Sequence, residues 1–196
     1  LFLELIASFT PPVRIIDIGG VDHYWLAMDM ARLPEFHITF LNNYKIESQI
    51  PNSICVLGDA RSMPEFQDQE FDIAFSNSVI EHVGNLRDQK AMAREAVRVA
   101  KKYYVQTPNH YFPLEPHFLL PFFQFYPLWL RALLHSWKNF GSWKKAPSYR
   151  AAYEEVESIR LLTKSELAYL FPEAQIFEEK LFYQTKSFVA YGENIC

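Results

Sequence analysis

The order of the apolar runs limits what this chain can fold into more than any other feature. Val13–Ile18 (VRIIDI), Phe36–Leu41 (FHITFL), Ser53–Leu57 (SICVL), Phe71–Ser76 (FDIAFS) and Lys102–Gln106 (KYYVQ) each read as a short strand. Helices are expected between them, at roughly Tyr24–Leu33 and Leu86–Val99. In the second, Leu86, Ala93, Val97 and Ala100 recur at helical spacing. A short apolar helix is expected over Leu1–Phe9, stopped by Pro11 and Pro12. Alternating strands and helices predict an α/β fold of the Rossmann-like, doubly wound kind, with a mostly parallel sheet covered on both faces. Thr163 and Glu166 form a capping box that starts a late helix. Two closing strands, about Gln175–Phe182 and Ser187–Tyr191, are close enough to pair antiparallel, giving seven strands with an antiparallel terminal one.

The 196 residues suffice for one domain, 1–196. A formal net charge of −4 argues against general nucleic-acid binding, which needs a broad basic face. Cys55 and Cys196 form neither a metal-type spacing nor a disulfide framework, and Cys55 reads as a small core residue in an apolar run. That usage, with no signal peptide in view, leads to the expectation of a cytoplasmic protein. Phe118–Leu134 is apolar, but Pro121, Pro127, Gln124 and Arg131 interrupt it, so it is not expected to span a membrane. Contact with a membrane surface stays open.

In such sheets a ligand sits beyond the carboxyl ends of the strands, where strand order reverses. Those ends carry Asp17-Ile18-Gly19-Gly20, then Asn42, then Gly58-Asp59-Ala60, then Ser76-Asn77-Ser78 with Glu81 and His82, then Thr107-Pro108-Asn109. Glycines after the first strand allow a tight turn and close approach of a ligand, although an ordinary turn would use them too. Asn42 stands where nucleoside-binding sheets place a carboxylate for ribose; a turn or helix cap uses Asn as well. Asp59 reads either as an acceptor for an adenine amino group or as a solvated turn residue. The composite is more informative than any member, because four successive strand ends carry polar groups or glycine in the order a nucleoside site needs.

These segments, VRIIDIGG, FHITFLN, VLGDARSMP with EFDIAFSNSVIEHV, and YYVQTPN, resemble a class I S-adenosylmethionine-dependent methyltransferase of the broad small-molecule group (methyltransferase type 11-like). The resemblance also covers LLTKSELAYLF to KSFVAYG and omits 110–150. It implies that S-adenosyl-L-methionine is the cofactor. Asp17 and Gly19 would form the first motif, with Gly20 beside the methionine part. Asn42 would face the ribose, Asp59 and Ala60 the adenine, and Asn77 the methionine part. Two positions depart from the family's D-x-G-x-G-x-G pattern, Val21 and His23, and Asn42 replaces the usual carboxylate.

Methyl transfer requires positioning above all, and a general base where the acceptor is a hydroxyl. His82 and His110, at the ends of the fourth and fifth strands, are the candidate catalytic bases, with Glu115 and His117 behind them. Some related quinone methyltransferases hold a divalent ion with a Glu-His pair and an extra carboxylate. Ser78 stands in that carboxylate's place, so no metal is expected. The window 101–150 holds seven basic residues and one acidic, Glu115. Its aromatics and lysines suit a lid over an acceptor pocket, extra core, or contact with a membrane or lipid-linked substrate. The resemblance of FPLEPH and FLLPFF to methyltransferases of surface-glycan clusters points to a small-molecule acceptor such as a sugar or lipid-linked glycan intermediate. A nicotinamide oxidoreductase would need G-x-G-x-x-G, which IDIGGVDHYW lacks. A catalytically inactive binding or scaffold protein is the remaining alternative.

Overall fold

The computed structural model describes residues 1–27, 35–140 and 143–194. Seven strands form one sheet: β1 (Val13–Ile18), β2 (Phe36–Asn42), β3 (Ser53–Leu57), β4 (Phe71–Asn77), β5 (Ala100–Pro108), β8 (Gln175–Leu181) and β9 (Gln184–Glu193). Their order is β3-β2-β1-β4-β5-β9-β8. Pairing is parallel from β3 through β5, and β9 runs antiparallel between β5 and β8. The expected α/β fold is present, and strand order reverses between β1 and β4.

The central strands are apolar on both faces because helices lie on both. On one face α1 (Phe2–Ile6) and α2 (Asp22–Leu26) enclose a core of Phe2, Ile15, Trp25, Ile38, Phe40, Ile73 and Phe75. Phe75 is its hub, with ring centroids 5.0 Å from Phe2, 4.8 Å from Tyr24, 5.4 Å from Trp25 and 5.3 Å from Tyr104. On the other face α3 (Leu86–Arg98) and α6 (Lys164–Leu170) pack Met92, Ala96, Leu167 and Leu170 against Ile16, Ala74 and Val105. Both helices start with a reciprocal cap: Asn85 with Asp88, and the expected Thr163 with Glu166.

Three expectations differ from the fold. Cys55 is exposed, not core. It sits on β3, an edge strand whose flanking connections, 43–52 and 58–70, contain no helix to cover it; Ile54 and Leu57 are exposed beside it. The first helix is one short turn, and the second begins at Asp22, earlier than expected; positions 28–33 of the expected second helix lie outside the described residues, as does Cys196. The segment after β5 is a built subdomain. It contains the hairpin β6 (Leu114–Glu115) and β7 (Leu120–Pro121), then α4 (Leu128–Trp137) and α5 (Tyr149–Glu157). Its own core comprises Phe118, Phe123, Ala132, Ala146, Ala152 and Val156, so it runs past residue 150. The sequence concealed α4 because LWLRALLHSW carries apolar residues toward its own core and toward its outer side alike. Among the described residues no helix is long and apolar enough to cross a membrane.

Because Phe75 touches four rings at the centre of one face, Phe75→Ala should cost about 3–5 kcal/mol of stability. Urea unfolding measures it; a loss below 1 kcal/mol would remove Phe75 as the hub.

Candidate functional site

The site follows from where β1 ends. Gly19 has φ +76°, a left-handed conformation that a side chain resists. A Cβ there would lie 2.5 Å from a Val79 methyl carbon, so the turn and its neighbour close on one another. The Gly19 N–H donates to the Leu41 carbonyl at 2.7 Å, and the Gly58 N–H to the Asn42 carbonyl at 2.9 Å. These bonds hold the ends of β1, β2 and β3 in one row.

Beyond that row lies a cleft of about 480 Å³, within the size range of small-molecule sites. Of the expected cofactor residues, Gly19, Asn42, Asp59 and Ala60 line it, together with Ser78 and His82. Asp17, Gly20 and Asn77 do not. Asp17 is buried beneath the loop, and a Cβ on Gly20 would lie 1.8 Å from its carboxylate, so Gly20 is the residue that lets the backbone close over Asp17. Asn77 is exposed at the end of β4.

Asn42 explains its own departure from the family pattern. Its Nδ2 donates to the Gly20 carbonyl at 2.8 Å, a bond a carboxylate cannot make. The amide holds the loop and leaves Oδ1 without a protein donor among the described residues. Asp59 is held by Arg61, whose Nε and Nη2 reach it at 2.9 Å and 2.6 Å, and that hydrogen bonding keeps its carboxyl below the usual range. Asp17 accepts from Trp25 Nε1 at 2.7 Å through Oδ2, while its Oδ1 is buried without a partner. Burial pushes Asp17 up to about 7 against the opposing Trp25 bond.

The titratable candidates divide between two places. His82 lines the cleft, and His110 lines a separate cavity of about 140 Å³ in the subdomain, with Phe123, Gln124, Arg131 and Arg160. The two are therefore not partners. His82 Nε2 lies 3.0 Å from His117 Nε2, and His117 Nδ1 lies 2.6 Å from Glu115 Oε1. Glu115 in turn lines the subdomain cavity, so this chain of three joins cavity to cleft. His82 keeps an exposed edge but is crowded by protein; that burial, then the neighbouring His117, bring it down to about 4, against the charge of Glu115. Burial would also lower His117, but the Glu115 bond and the Glu115 and Glu81 charges outweigh it and raise it. Burial lowers His110. Glu81, fully buried, accepts from Thr107 Oγ1 at 3.0 Å, has an Oε1 that accepts no hydrogen bond and lies 3.9 Å from His117 Nε2, and is pushed up to about 7 by burial. Glu81, His82 and His117 place donor atoms within 4.8 Å of one another, the one cation-type grouping among the described residues, and it does not include Ser78.

Sequence reasoning missed Arg131 and Arg160. Arg160 lies on the return from the subdomain, where Gln89 Oε1 accepts from its Nη1 at 2.7 Å and Glu166 from its Nη2. The Arg131 side chain makes no hydrogen bond or ion pair among the described residues, and its Nε is buried without a partner. Only the fold brings these two side chains together, from positions 29 residues apart in sequence.

Residues 33–103 match the family described as methyltransferase domain. Two uncharacterized proteins from two strains of Mycobacterium tuberculosis are 34% identical over 68 residues, 35% of this chain and 23% of theirs. The match thus spans about a quarter of the length of these curated relatives. A SAM-dependent methyltransferase from Methanosarcina mazei has the same fold at TM-score 0.57 and 16% identity, over 100% of this chain and 98% of that one. One from Aquifex aeolicus gives 0.52 and 10%, over 99% and 87%. The N-terminal domain of EvdMO1, solved in the presence of SAH and D-fucose, gives 0.54 and 16%, over 98% and 79%. The fold is the one shared by solved SAM-dependent methyltransferases.

Two outcomes test the site's physics. Asn42→Asp, although closer to the family pattern, should lower stability by about 1–3 kcal/mol at pH 7, because it removes a donor and buries a charge against a carbonyl. Urea unfolding with unchanged stability would refute this. For Asp17, the unfolded carboxyl titrates near the ordinary value of about 3.9, well below its folded value. Between the two the unfolded chain sheds a proton that the folded chain keeps, so this group's stability contribution is full below about pH 4 and is lost as pH rises toward 7. Asp17→Asn should therefore gain stability relative to wild type as pH is raised from 4.5 to 7.5. A constant difference across that range would show that Asp17 is not perturbed.

Proposed function

We propose that this chain binds S-adenosyl-L-methionine in the cleft beyond β1, β2 and β3 and transfers its methyl group to a small hydroxyl-bearing acceptor, a sugar or lipid-linked glycan intermediate. The single observation that carries the reading is the row of strand ends. Gly19, Asn42 Oδ1 and Asp59-Ala60 meet at one cleft, above a buried Asp17 carboxylate with one oxygen left unpaired. That donor set fits a nucleoside with a cationic amino-acid tail. Asp17 and Gly20 would shape the methionine end from beneath, Asn42 would accept from ribose, Asp59 and Ala60 would meet adenine, and Asn77 would close the rim. When bound, the cofactor supplies an electrophilic methyl group on a sulfonium.

The chain's own task is then to hold the acceptor and remove its proton. With Glu115 accepting from His117 Nδ1–H, His117 Nε2 is free to accept from His82 Nε2–H. The His82 Nδ1 lone pair can then take the acceptor's proton while His82 passes its other proton to His117, beside the Glu115 carboxylate. This is how a histidine of low basicity serves as a base. His110 sits in the subdomain cavity and acts there on the distal part of the acceptor. Gln124 and Arg131 provide an acceptor atom and a cation with unmet hydrogen-bonding capacity in a wall that also contains Phe118 and Phe123, a composition suited to a polyhydroxylated ligand. The EvdMO1 domain, solved with D-fucose present, is a fold relative whose description fits such an acceptor. No metal is needed, because His82 and His117 satisfy one another.

Titration calorimetry with S-adenosylhomocysteine, followed by methyl-transfer assays on sugars, tests this. Wild type should bind at micromolar level and Asp59→Ala about tenfold more weakly, the loss of about 1.4 kcal/mol. His82→Ala and Arg131→Met should keep that affinity within twofold while kcat falls for the first and KM rises for the second; chelation should leave the rate unchanged. Absence of binding by folded protein would sink the reading.

A further inference from the structure

The subdomain leaves a second face unexplained. Helix α4 buries Ala132 and His135 against its own core, yet its opposite side is apolar too. Trp129, Leu133 and Trp137 follow one another at four-residue spacing, which stacks them on one stripe about 12 Å long. They are 58%, 50% and 75% exposed. Leu119, Phe122, Phe125 and Tyr126, on the connection that leads into α4, are exposed as well. Leu119 and Phe122 do so from left-handed backbone, at φ 52° and 58°, which bulky residues resist. An apolar face of this kind on a folded chain marks a contact surface.

The charges beside it narrow the partner. No Asp or Glu occurs between Glu115 and Glu154, whereas Arg131, Lys138, Lys144, Lys145 and Arg150 do. The chain turns back after α4 through paired backbone bonds between Phe140 and Trp143, and the Lys145 N–H donates to Asn139 Oδ1 at 2.8 Å. That turn gathers Lys138, Lys144 and Lys145 at the Trp137 end of the stripe. Each of the three is exposed and has no ion pair among the described residues. Protein interfaces are depleted in lysine, whereas tryptophan, tyrosine and flanking lysine are the signature of the water–lipid boundary.

We propose that α4 and its leading connection form a docking surface for an anionic lipid bilayer. The Trp129–Leu133–Trp137 stripe lies in the headgroup region, and Lys138, Lys144 and Lys145 bind acidic headgroups. The proposal does not depend on the methyl-transfer reading, since the stripe is remote in sequence from every residue of the cleft and is tested without cofactor.

Co-sedimentation with phosphatidylcholine vesicles, with and without 30% phosphatidylglycerol, tests it. Wild type should partition to the anionic vesicles, weakly or not at all to the neutral ones, and come off as salt is raised. Trp129→Ser/Trp137→Ser should lower partitioning at least tenfold. Lys138→Gln/Lys144→Gln/Lys145→Gln should lower it roughly fivefold per lysine and abolish the preference for anionic lipid. Circular dichroism confirms that the variants, altered only at exposed positions, are folded. Failure of wild type to bind anionic vesicles overturns the proposal, and so does binding that the tryptophan variant retains. Self-association on sedimentation velocity, lost in the tryptophan variant and unaccompanied by vesicle binding, overturns it in favour of a contact between copies. S-adenosylhomocysteine affinity, measured on the same samples, reports separately on the cleft.

Discussion

The buried carboxylate of Asp17 organises the cleft end of this molecule. Asp17 ends the central strand with one oxygen tied to Trp25 and the other unpaired. A buried polar atom without a partner is costly, so the surrounding structure must fix it by other means. Trp25 does so from α2, because the same ring that donates to Asp17 packs edge-on against Phe2, Phe36 and Phe75. Gly20 does so from above, since only a residue without a side chain passes over the carboxylate. The hydrophobic face and the cleft are thereby one construction: the aromatic cluster sets α2, α2 sets the loop, and the loop sets the cleft floor.

The second half of the chain is latched to this frame by backbone carbonyls. Gln89 on α3 donates from its Nε2 to the Ile80 and Arg160 carbonyls, at 3.1 Å and 2.9 Å. The Arg160 N–H donates to the Glu81 carbonyl at 2.8 Å. The segment returning from the subdomain is thus pinned to the turn that carries Glu81 and His82. This is why residues from a 50-residue excursion after β5 reach His82 at the edge of the cleft. His117 and Glu115 depend on it for their position beside His82, and the small cavity lined by Arg131 and Arg160 exists only because both ends of the excursion are fixed.

The departures from the usual nucleoside-site pattern make physical sense in this setting. Asn42 does two jobs that an aspartate could not combine, donating to the Gly20 carbonyl and keeping an acceptor free. Val21 stands where glycine is usual, and it is the extended residue before α2, at φ −141°, a conformation that needs no glycine. Only Gly19 has the positive φ that the turn requires. One glycine bends the loop, a second clears the carboxylate, and an amide ties it to β2.

The sequence by itself determined the sheet. Short apolar runs bounded by turn residues have few other fates, so the strands of VRIIDI and SICVL were readable to the residue, as was the Thr163–Glu166 cap. It also determined which strand ends carry polar groups, and four of the seven expected cofactor residues do line the cleft. What it could not show was anything that depends on which face is covered. Cys55 looked like core because its run is apolar, but β3 is an edge strand with no helix over it. The excursion after β5 looked aperiodic because α4 is apolar toward both its own core and its outer stripe, so no single face stands out. The Glu115–His117 pair, Arg131 and Arg160 are distant in sequence from His82 and from one another, and periodicity carries no information about such contacts. Local patterns fix elements because each residue's burial repeats with the backbone; the site's polar partners were decided only when tertiary packing brought separate elements within hydrogen-bonding reach.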